Sequence, residues 1–169
     1  MNRRDVETEI TEALTKLHAD CLPFSLPASA TDSASWYVTG DGPHFILVNC
    51  VSDKILDETA VDGEELVYLA MSKLTVRMAR DAEEETRKQA GGAKGIWARL
   101  TGKTAFGAGY DDYSRKTWMD GHVRLMGALH QRWGARIALQ YDEMLRKYPL
   151  TPKEKANTRN LDLTAFGVD

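Results

Sequence analysis

The sequence predicts an α+β fold, in which a small antiparallel β-sheet of two to three strands packs with about four α-helices. Two runs of strand-forming residues lie within 35–51, and the turn-forming segment Gly40-Asp41-Gly42-Pro43 separates them. Apolar residues at helical spacing occur in one segment before this hairpin and in three segments after it. This order of helix, strands and helices indicates a sheet that is covered by helices.

The first helix is predicted within 5–20. One helical face carries charged residues, and the other carries the apolar residues Val6, Ile10, Ala13, Leu14 and Leu17. Pro23 and Pro27 prevent a helix from continuing, because proline has no amide hydrogen and fixes its own φ. The small residues of 28–35 are therefore interpreted as a loop that leads into the sheet.

The hairpin consists of a strand at 35–39 and a second strand at 44–51. The second strand has apolar residues on both faces, which indicates that it lies centrally in the sheet or is covered from both sides. The shorter and more polar segment 54–59 predicts a third strand, after a turn at Ser52-Asp53.

The longest helix is predicted at 62–90, with Asp62 as its N-cap and Glu65 at the position of a capping-box acid. Its first half carries an apolar stripe at helical spacing, made of Val67, Met71, Leu74 and Met78. The stripe ends near Arg80, and the charged residues that follow are typical of a solvated helix face. Gly91-Gly92 is expected to end the helix.

A glycine-rich irregular excursion is predicted at 91–110, because glycines disfavour a helix and the segment is too long for a simple connection. In an alternative interpretation it includes a short helix at 96–100. Asp111 or Asp112 is expected to cap the next helix, whose stripe consists of Trp118, His122, Leu125, Met126, Leu129 and Trp133. Its two glycines, Gly121 and Gly127, weaken a helix and predict close backbone packing.

A bend is expected at Gly134, and Pro149 is expected to stop the last helix, whose stripe consists of Ile137, Tyr141, Met144, Leu145 and Tyr148. A single domain is thus predicted at 1–150, followed by a polar C-terminal tail at 151–169. The tail either packs down as a short strap or stays mobile, and its few apolar residues are Leu161, Leu163 and Phe166.

Composition is that of an ordinary globular domain. The 169 residues, 43% of them hydrophobic, can bury one core without disulfides, and Cys21 and Cys50 lack metal-ligand spacing. The net charge of −3 argues against a generic nucleic-acid binder, and no segment is apolar enough to span a membrane. The N-terminal residues lack the apolar run of a signal peptide, so a reducing, cytoplasmic setting is the simplest interpretation.

Charge is divided between two consecutive segments. Residues 52–90 contain ten acidic and six basic residues, whereas 91–124 contain three acidic and six basic residues. The second segment also holds residue types that are enriched at interfaces, namely Trp97, Arg99, Phe106 and Tyr110. These four residues either contact a partner or pack back on the fold.

No residue pattern indicates catalysis, a metal site or a cofactor. Thr101-Gly102-Lys103-Thr104 looks like the end of a phosphate-binding loop, but Trp97 occupies the position of the required first glycine. His122 lies on an apolar stripe and is interpreted as a core or boundary histidine. The acidic run that includes Asp81 is more typical of a solvated helix face than of a catalytic pair.

Four features occur together in this chain: the strand Trp36–Val38, the turn Gly40-Asp41-Gly42, the helix Asp62–Arg80 and the helix Trp133–Pro149. In this combination the sequence resembles the immunity protein 63 family, whose members are cognate inhibitors associated with bacterial polymorphic toxins. The resemblance covers residues 34–150. The glycine-rich excursion is longer than the family pattern, and the C-terminal tail extends beyond it.

The resemblance implies an immunity protein in interbacterial competition, which is not an enzyme and neutralises a toxin by binding its catalytic domain in a stoichiometric complex. No cofactor, metal, nucleic acid or membrane is expected as a ligand. The predicted toxin-binding residues are Glu83, Glu84 and Glu85 of the acidic helix and Trp97, Arg99, Phe106 and Tyr110 of the following loop.

Two other functions stay open at this stage. One is a secretion chaperone or adaptor, which would bind the toxin away from its active site. The other is an enzyme that reverses the modification made by the toxin. An apolar flank of the hairpin could also pair across a homodimer, because an open sheet edge can accept a strand from another chain.

Overall fold

The computed structural model describes residues 1–19, 23–29, 35–42, 44–51, 54–100 and 113–168, and it describes the side chains of all of these except 89–100. In chain order, the helices and strands are α1 (Arg3–Lys16), β1 (Trp36–Thr39), β2 (Phe45–Val51), β3 (Lys54–Val61), α2 (Gly63–Leu100), α3 (Arg115–Leu129), α4 (Gln131–Lys147), α5 (Pro152–Ala156) and a 3₁₀ helix (Thr164–Phe166). The α+β class predicted from the sequence is confirmed.

The chain divides into two compact units, 1–72 and 73–169, and the division falls within α2. The first unit contains the sheet and α1, and the second contains α3, α4 and α5. The domain limits predicted from the sequence, 1–150 with a tail at 151–169, stay a prediction.

The sheet has the order β1-β2-β3, with both pairs antiparallel. β2 is therefore the central strand, which was one of the two arrangements predicted from its apolar residues. The predicted third strand is also confirmed, and it extends to Val61. One face of the sheet is buried where β1 and β2 pair, through Trp36, Val38, Phe45 and Leu47. A bulge between Asn49 and Cys50 leaves one residue of β3, Leu56, without an opposite residue on β2.

α1 begins at Arg3 because Asn2 forms a capping box with Asp5. Its buried face includes Val6 and Ile10, as the stripe predicted. The Arg3 guanidinium donates a 2.7 Å hydrogen bond to the carbonyl oxygen of Leu26, and the next residue, Pro27, accepts a 2.8 Å hydrogen bond from the Val38 amide. The segment before the sheet thus covers part of the outer edge of β1.

α2 begins where the sequence predicted, since the Asp62 carboxylate accepts a 2.9 Å hydrogen bond from the Glu65 amide. The predicted end at 90 is wrong, and so is the irregular structure predicted for 91–95, because the helix continues to Leu100. The helical alternative for 96–100 agrees with the structure, although these residues continue α2 instead of forming a separate short helix. Each glycine costs a helix only about 1 kcal/mol relative to alanine, and the segment around Gly91-Gly92 is rich in alanine and lysine, which favour a helix. The rest of the predicted excursion, 101–110, lies outside the described residues.

The start of α3 differs from the sequence prediction. Ser114 is the N-cap residue, and Asp111 and Asp112, which were expected to cap the helix, lie outside the described residues. The Ser114 side chain makes no capping hydrogen bond; instead, Glu154 accepts a 3.2 Å hydrogen bond from the Arg115 amide. A carboxylate that is distant in sequence therefore takes the role that a local aspartate was expected to play.

The bend predicted at Gly134 is also wrong, because the break between α3 and α4 lies at His130. This residue is extended, with φ −157° and ψ 123°, and its side chain accepts a hydrogen bond from the Arg132 amide. Gly134 lies inside α4 and allows close packing instead: a Cβ there would lie 2.8 Å from the Cα of Gly127. The close backbone packing predicted at Gly127 is thus confirmed.

The segment 151–168 packs against α3. Gly121 permits this contact, since a Cβ at this position would lie 2.6 Å from the Cδ2 of Leu161. Leu161 and Leu163 are buried, whereas Phe166 is partly exposed. The strap interpretation of this segment therefore agrees with the packing of its two leucines.

Glu154 joins α5 to the start of α3. Its carboxylate accepts hydrogen bonds from the Arg115 side chain at 2.7 and 3.1 Å, and from the amide and hydroxyl of Thr151 at 2.9 and 3.0 Å. Glu154 is buried. The Arg115 guanidinium, with further hydrogen bonds from Thr151 and the Arg115 amide, lowers the pKa of Glu154 to about 2.

Candidate functional site

The charged second half of the predicted long helix, residues 80–89, was expected to be a solvated extension. The structure divides it. Glu84 and Glu85 are exposed, but Glu83 is only 4% exposed, so the prediction is wrong for Glu83. Neighbouring acidic residues on a helix can differ in side-chain exposure, because residues two apart in sequence lie on nearly opposite sides of the helix.

Glu83 has a structural partner one helical turn away. Its carboxylate forms a 2.8 Å ion pair with the Nε of Arg87, whose guanidinium also lies 5.4 Å from the ring centre of Tyr113. Burial raises the pKa of Glu83, and the hydrogen bond and charge of Arg87 oppose this shift. This carboxylate is therefore engaged within the fold.

Replacing Glu83 with glutamine is expected to lower the free energy of unfolding by about 1 kcal/mol, because Arg87 loses its charged partner in a largely buried place. Glu85→Gln is the matched control and should change it by less than about 0.5 kcal/mol, since this side chain is exposed. Urea denaturation of both variants measures the difference. Equal stability of the two variants would contradict the structural role of Glu83.

Glu84 is an exposed acid of this segment whose charged form is stabilised by a neighbouring lysine. Glu84 forms a 2.9 Å ion pair with Lys88, whose hydrogen bond and charge lower the pKa of the Glu84 carboxyl. Glu84 and Glu85 thus form the exposed acidic surface of α2, a name used below for these two residues. An exposed ion pair of this kind contributes little to stability, so both side chains can be replaced without unfolding the helix.

The other predicted toxin-binding residues are only partly placed by the structure. Trp97 and Arg99 belong to α2, where the backbone is helical and the side chains are not described. Phe106 and Tyr110 lie outside the described residues, as does the phosphate-loop-like segment 101–104. The described residues therefore do not bring the seven predicted residues together in one site.

A groove between α3 and α4 was not predicted. It has a volume of about 340 Å³, and its apolar lining is formed by Met119, Val123, Ala138, Tyr141 and Leu145. Lys116 and Asp120 form a 2.6 Å ion pair at its wall. The helical stripes indicated which residues are apolar, but they could not show that α4 leaves part of its stripe incompletely covered.

β3 presents a second surface that the sequence indicated only in outline. Seven of its eight residues are exposed, and Ile55 and Leu56 are 49% and 61% exposed. Side chains on both faces of this strand are therefore accessible, whereas the neighbouring β2 has buried residues on both of its faces. Apolar residues next to acids in 54–61 were a signal for an edge strand, but not for an uncovered one.

Among the described residues, no three histidine, cysteine, aspartate or glutamate side chains form a cluster that could hold a metal ion. His122 is buried, as predicted, and its Nδ1 lies 2.6 Å from the Tyr141 hydroxyl. None of the described helices has both the length and the apolar character that a membrane crossing requires.

The described residues thus form an α+β fold with an exposed acidic surface, an exposed edge strand and an apolar groove. The sequence profile of the immunity protein 63 family matches residues 52–143, which is more than half of the chain, and the chain therefore belongs to this family. The match begins just before β3 and ends within α4. No curated protein and no solved structure matches the chain. Membership implies a cognate toxin as partner.

Proposed function

We propose that this protein neutralises a cognate bacterial toxin by forming a stoichiometric complex that blocks the toxin's catalytic domain. The match to the immunity protein 63 family over 52–143 carries this proposal. The protein acts in the cytoplasm of the producing cell, within a polymorphic toxin system of interbacterial competition. It works by binding and catalyses no reaction.

The exposed acidic surface of α2 supports a role in the encounter with the toxin. Complementary charge accelerates association and excludes wrong partners, while a few buried aromatic or arginine side chains supply most of the affinity. In the proposed complex, Glu84 and Glu85 steer a basic part of the toxin. Trp97, Arg99, Phe106 and Tyr110 supply the anchoring contacts.

The test of this function uses the toxin domain that is encoded beside this gene. Co-expression of the immunity protein is expected to restore growth, and the purified protein should bind a catalytically inactive toxin in a 1:1 complex. Active toxin should lose its activity in proportion to the amount of complex. Binding without loss of toxin activity would favour a chaperone or adaptor, and rescue without a stable complex would favour an enzyme that reverses the toxin's modification.

Reversal of both charges of the acidic surface, in Glu84→Lys/Glu85→Lys, is expected to slow association with the toxin about tenfold at low salt. The matched control is Glu9→Lys/Glu12→Lys on exposed positions of α1, which changes the net charge by the same amount. Association rates measured by surface plasmon resonance at several salt concentrations separate local from overall charge. Equal rates for the two variants would contradict contact at Glu84 and Glu85.

The anchoring contacts are tested separately with Trp97→Ala/Phe106→Ala. This variant is expected to dissociate from the toxin at least about tenfold faster, because aromatic side chains at interface centres contribute most of the binding energy. Circular dichroism confirms that α2 is retained. Unchanged dissociation and unchanged growth rescue would remove the segment 97–110 from the interface.

A further inference from the structure

The outer edge of β3 has no strand beside it in the described chain. The sheet order β1-β2-β3 places β3 at one side, and no described residue outside β2 forms a backbone hydrogen bond with 54–61. The opposite edge differs, since the Val38 amide of β1 is bonded to the Pro27 carbonyl oxygen. An edge strand of eight residues whose outward amide and carbonyl groups make no hydrogen bond to the described backbone is a template for a further strand.

Exposed apolar side chains are concentrated on β3 and on the adjacent strand β2. In the described chain, eight large apolar side chains are exposed, and half of them lie on β2 and β3: Ile46, Val51, Ile55 and Leu56. Leu56 is the bulged residue of β3, so it has no opposite residue on β2. Charged residues on an edge strand hinder pairing with unsuitable partners, and β3 carries such residues. Beside them, the adjacent exposed residues Ile55 and Leu56 provide an apolar contact surface.

The exposed charged residues around β3 are mostly acidic, which favours a basic partner. Asp57 and Glu58 of β3 are exposed, as are Asp62 and Glu64 at the start of α2, while Lys54 is the basic residue of 54–65. A second copy of this chain would bring the same acids together across the new strand pair, which is destabilising. A basic extended segment would instead neutralise them.

We propose that β3 accepts an extended, basic segment of the cognate toxin as an added strand of the sheet. Backbone hydrogen bonds would supply a sequence-independent part of the affinity, Ile55 and Leu56 would contact apolar side chains of the added strand, and the acids would select its positive charge. β3 lies within the residues that match the family, whereas β1 does not. This inference rests on the proposed function and adds the sheet edge to the toxin-binding surface.

Leu56→Lys tests the contact, because it places a charge where an apolar contact and a basic partner are proposed. It is expected to weaken binding of the inactive toxin at least about tenfold. Leu139→Lys on α4 is the matched control: Leu139 is 69% exposed, and its replacement should change the dissociation constant less than about twofold. Equal affinity of the two variants would overturn the proposal.

Hydrogen exchange on the wild-type complex tests the backbone pairing without any variant. Amides of β3 that face outward are expected to exchange at least about tenfold more slowly when the toxin is bound, since they gain hydrogen bonds. Side-chain contact alone would leave these rates unchanged, and this result would overturn the added-strand arrangement.

Analytical ultracentrifugation of the free protein tests whether a second copy of this chain, instead of the toxin, pairs with β3. A wild-type dimer that Leu56→Lys dissociates would show that a second copy pairs at β3, which overturns the choice of the toxin. Growth rescue by the wild-type protein distinguishes a failure of the β3 proposal from a failure of the proposed function. If the wild type protects and β3 is unaffected by the toxin, this inference fails while the proposed function stands; if the wild type does not protect, the proposed function fails.

Discussion

Replacing Glu154 with glutamine is expected to lower the free energy of unfolding by about 2 to 3 kcal/mol. Glu154 is buried and accepts hydrogen bonds from Arg115 and Thr151, including one from the first amide of α3. Glutamine has the same shape but offers one acceptor oxygen and no charge. The variant therefore leaves part of the Arg115 guanidinium and one of the capped amides without a good partner.

Urea denaturation of Glu154→Gln measures this effect. Glu143→Gln is the matched control on the exposed face of α4 and should change the free energy of unfolding by less than about 0.5 kcal/mol. Thr151→Ala, which removes one hydroxyl donor to the same carboxylate, should give an intermediate loss. If Glu154→Gln and Glu143→Gln are equally stable, Glu154 does not hold the start of α3.

The same carboxylate predicts how stability depends on pH. The pKa of Glu154 is lowered from 4.5 to about 2 in the folded protein, mainly by the Arg115 side chain. A lowered pKa contributes stability that is complete above the unfolded value and is lost as pH falls toward the folded value. The advantage of wild type over Glu154→Gln should therefore shrink between pH 4.5 and pH 2. An advantage that stays constant over this range would contradict the assignment.

Gly134→Ala is expected to lower the free energy of unfolding by about 2 kcal/mol, although alanine favours a helix over glycine by about 1 kcal/mol. The added Cβ would lie 2.8 Å from the Cα and 3.0 Å from the amide nitrogen of Gly127, and 3.0 Å from the carbonyl oxygen of Val123. These are backbone atoms, which cannot rotate away as a flexible side chain can. α3 and α4 must separate to admit the methyl group.

Gly127→Ala is the matched control, because Gly127 supplies the backbone that Gly134 approaches while its own Cβ position points away from this contact. A Cβ at Gly127 meets no atom within 4 Å, so this variant should gain about 1 kcal/mol from its higher helix propensity. Thermal or urea unfolding of both variants should differ by about 3 kcal/mol, with opposite signs relative to wild type. Two variants that shift stability in the same direction would show that the helices are not this close.

Residues that are replaced to test toxin binding should have no structural role in the fold. Glu83 is held by Arg87 inside the fold, so a charge reversal that included it would mix loss of structure with loss of contact. Glu84 and Glu85 avoid this problem because they are exposed. Leu56 and Leu139 are suitable for the same reason, and their similar exposure makes the comparison between them direct.

Several features could be predicted because they depend on local chemistry. The N-cap at Asp62 follows from a carboxylate placed three residues before the Glu65 amide, and the stop after Lys147 follows from Pro149. The three strands follow from runs of strand-forming residues with a glycine-rich turn between the first two. The resemblance to the immunity protein 63 family, confirmed over 52–143, came from the same local patterns.

Other features depended on contacts between residues that are far apart in sequence. Gly134 looked like a bend, yet it lies inside α4 at a place where the backbone of α3 approaches it closely. A glycine has several structural uses, and packing selects among them. The cap of α3 likewise comes from Glu154, which no local pattern around Ser114 could reveal.

The sequence by itself determined the class of fold and the order of its main elements, because propensity, capping and apolar spacing act over a few residues. Only the tertiary structure decided which charges and apolar residues remain available to a partner. Glu83 is buried while Glu84 and Glu85 are exposed, and Leu56 of β3 is exposed while Leu47 of β2 is buried. Exposure depends on which elements pack against each other, so a run of acids or a strand pattern cannot specify it.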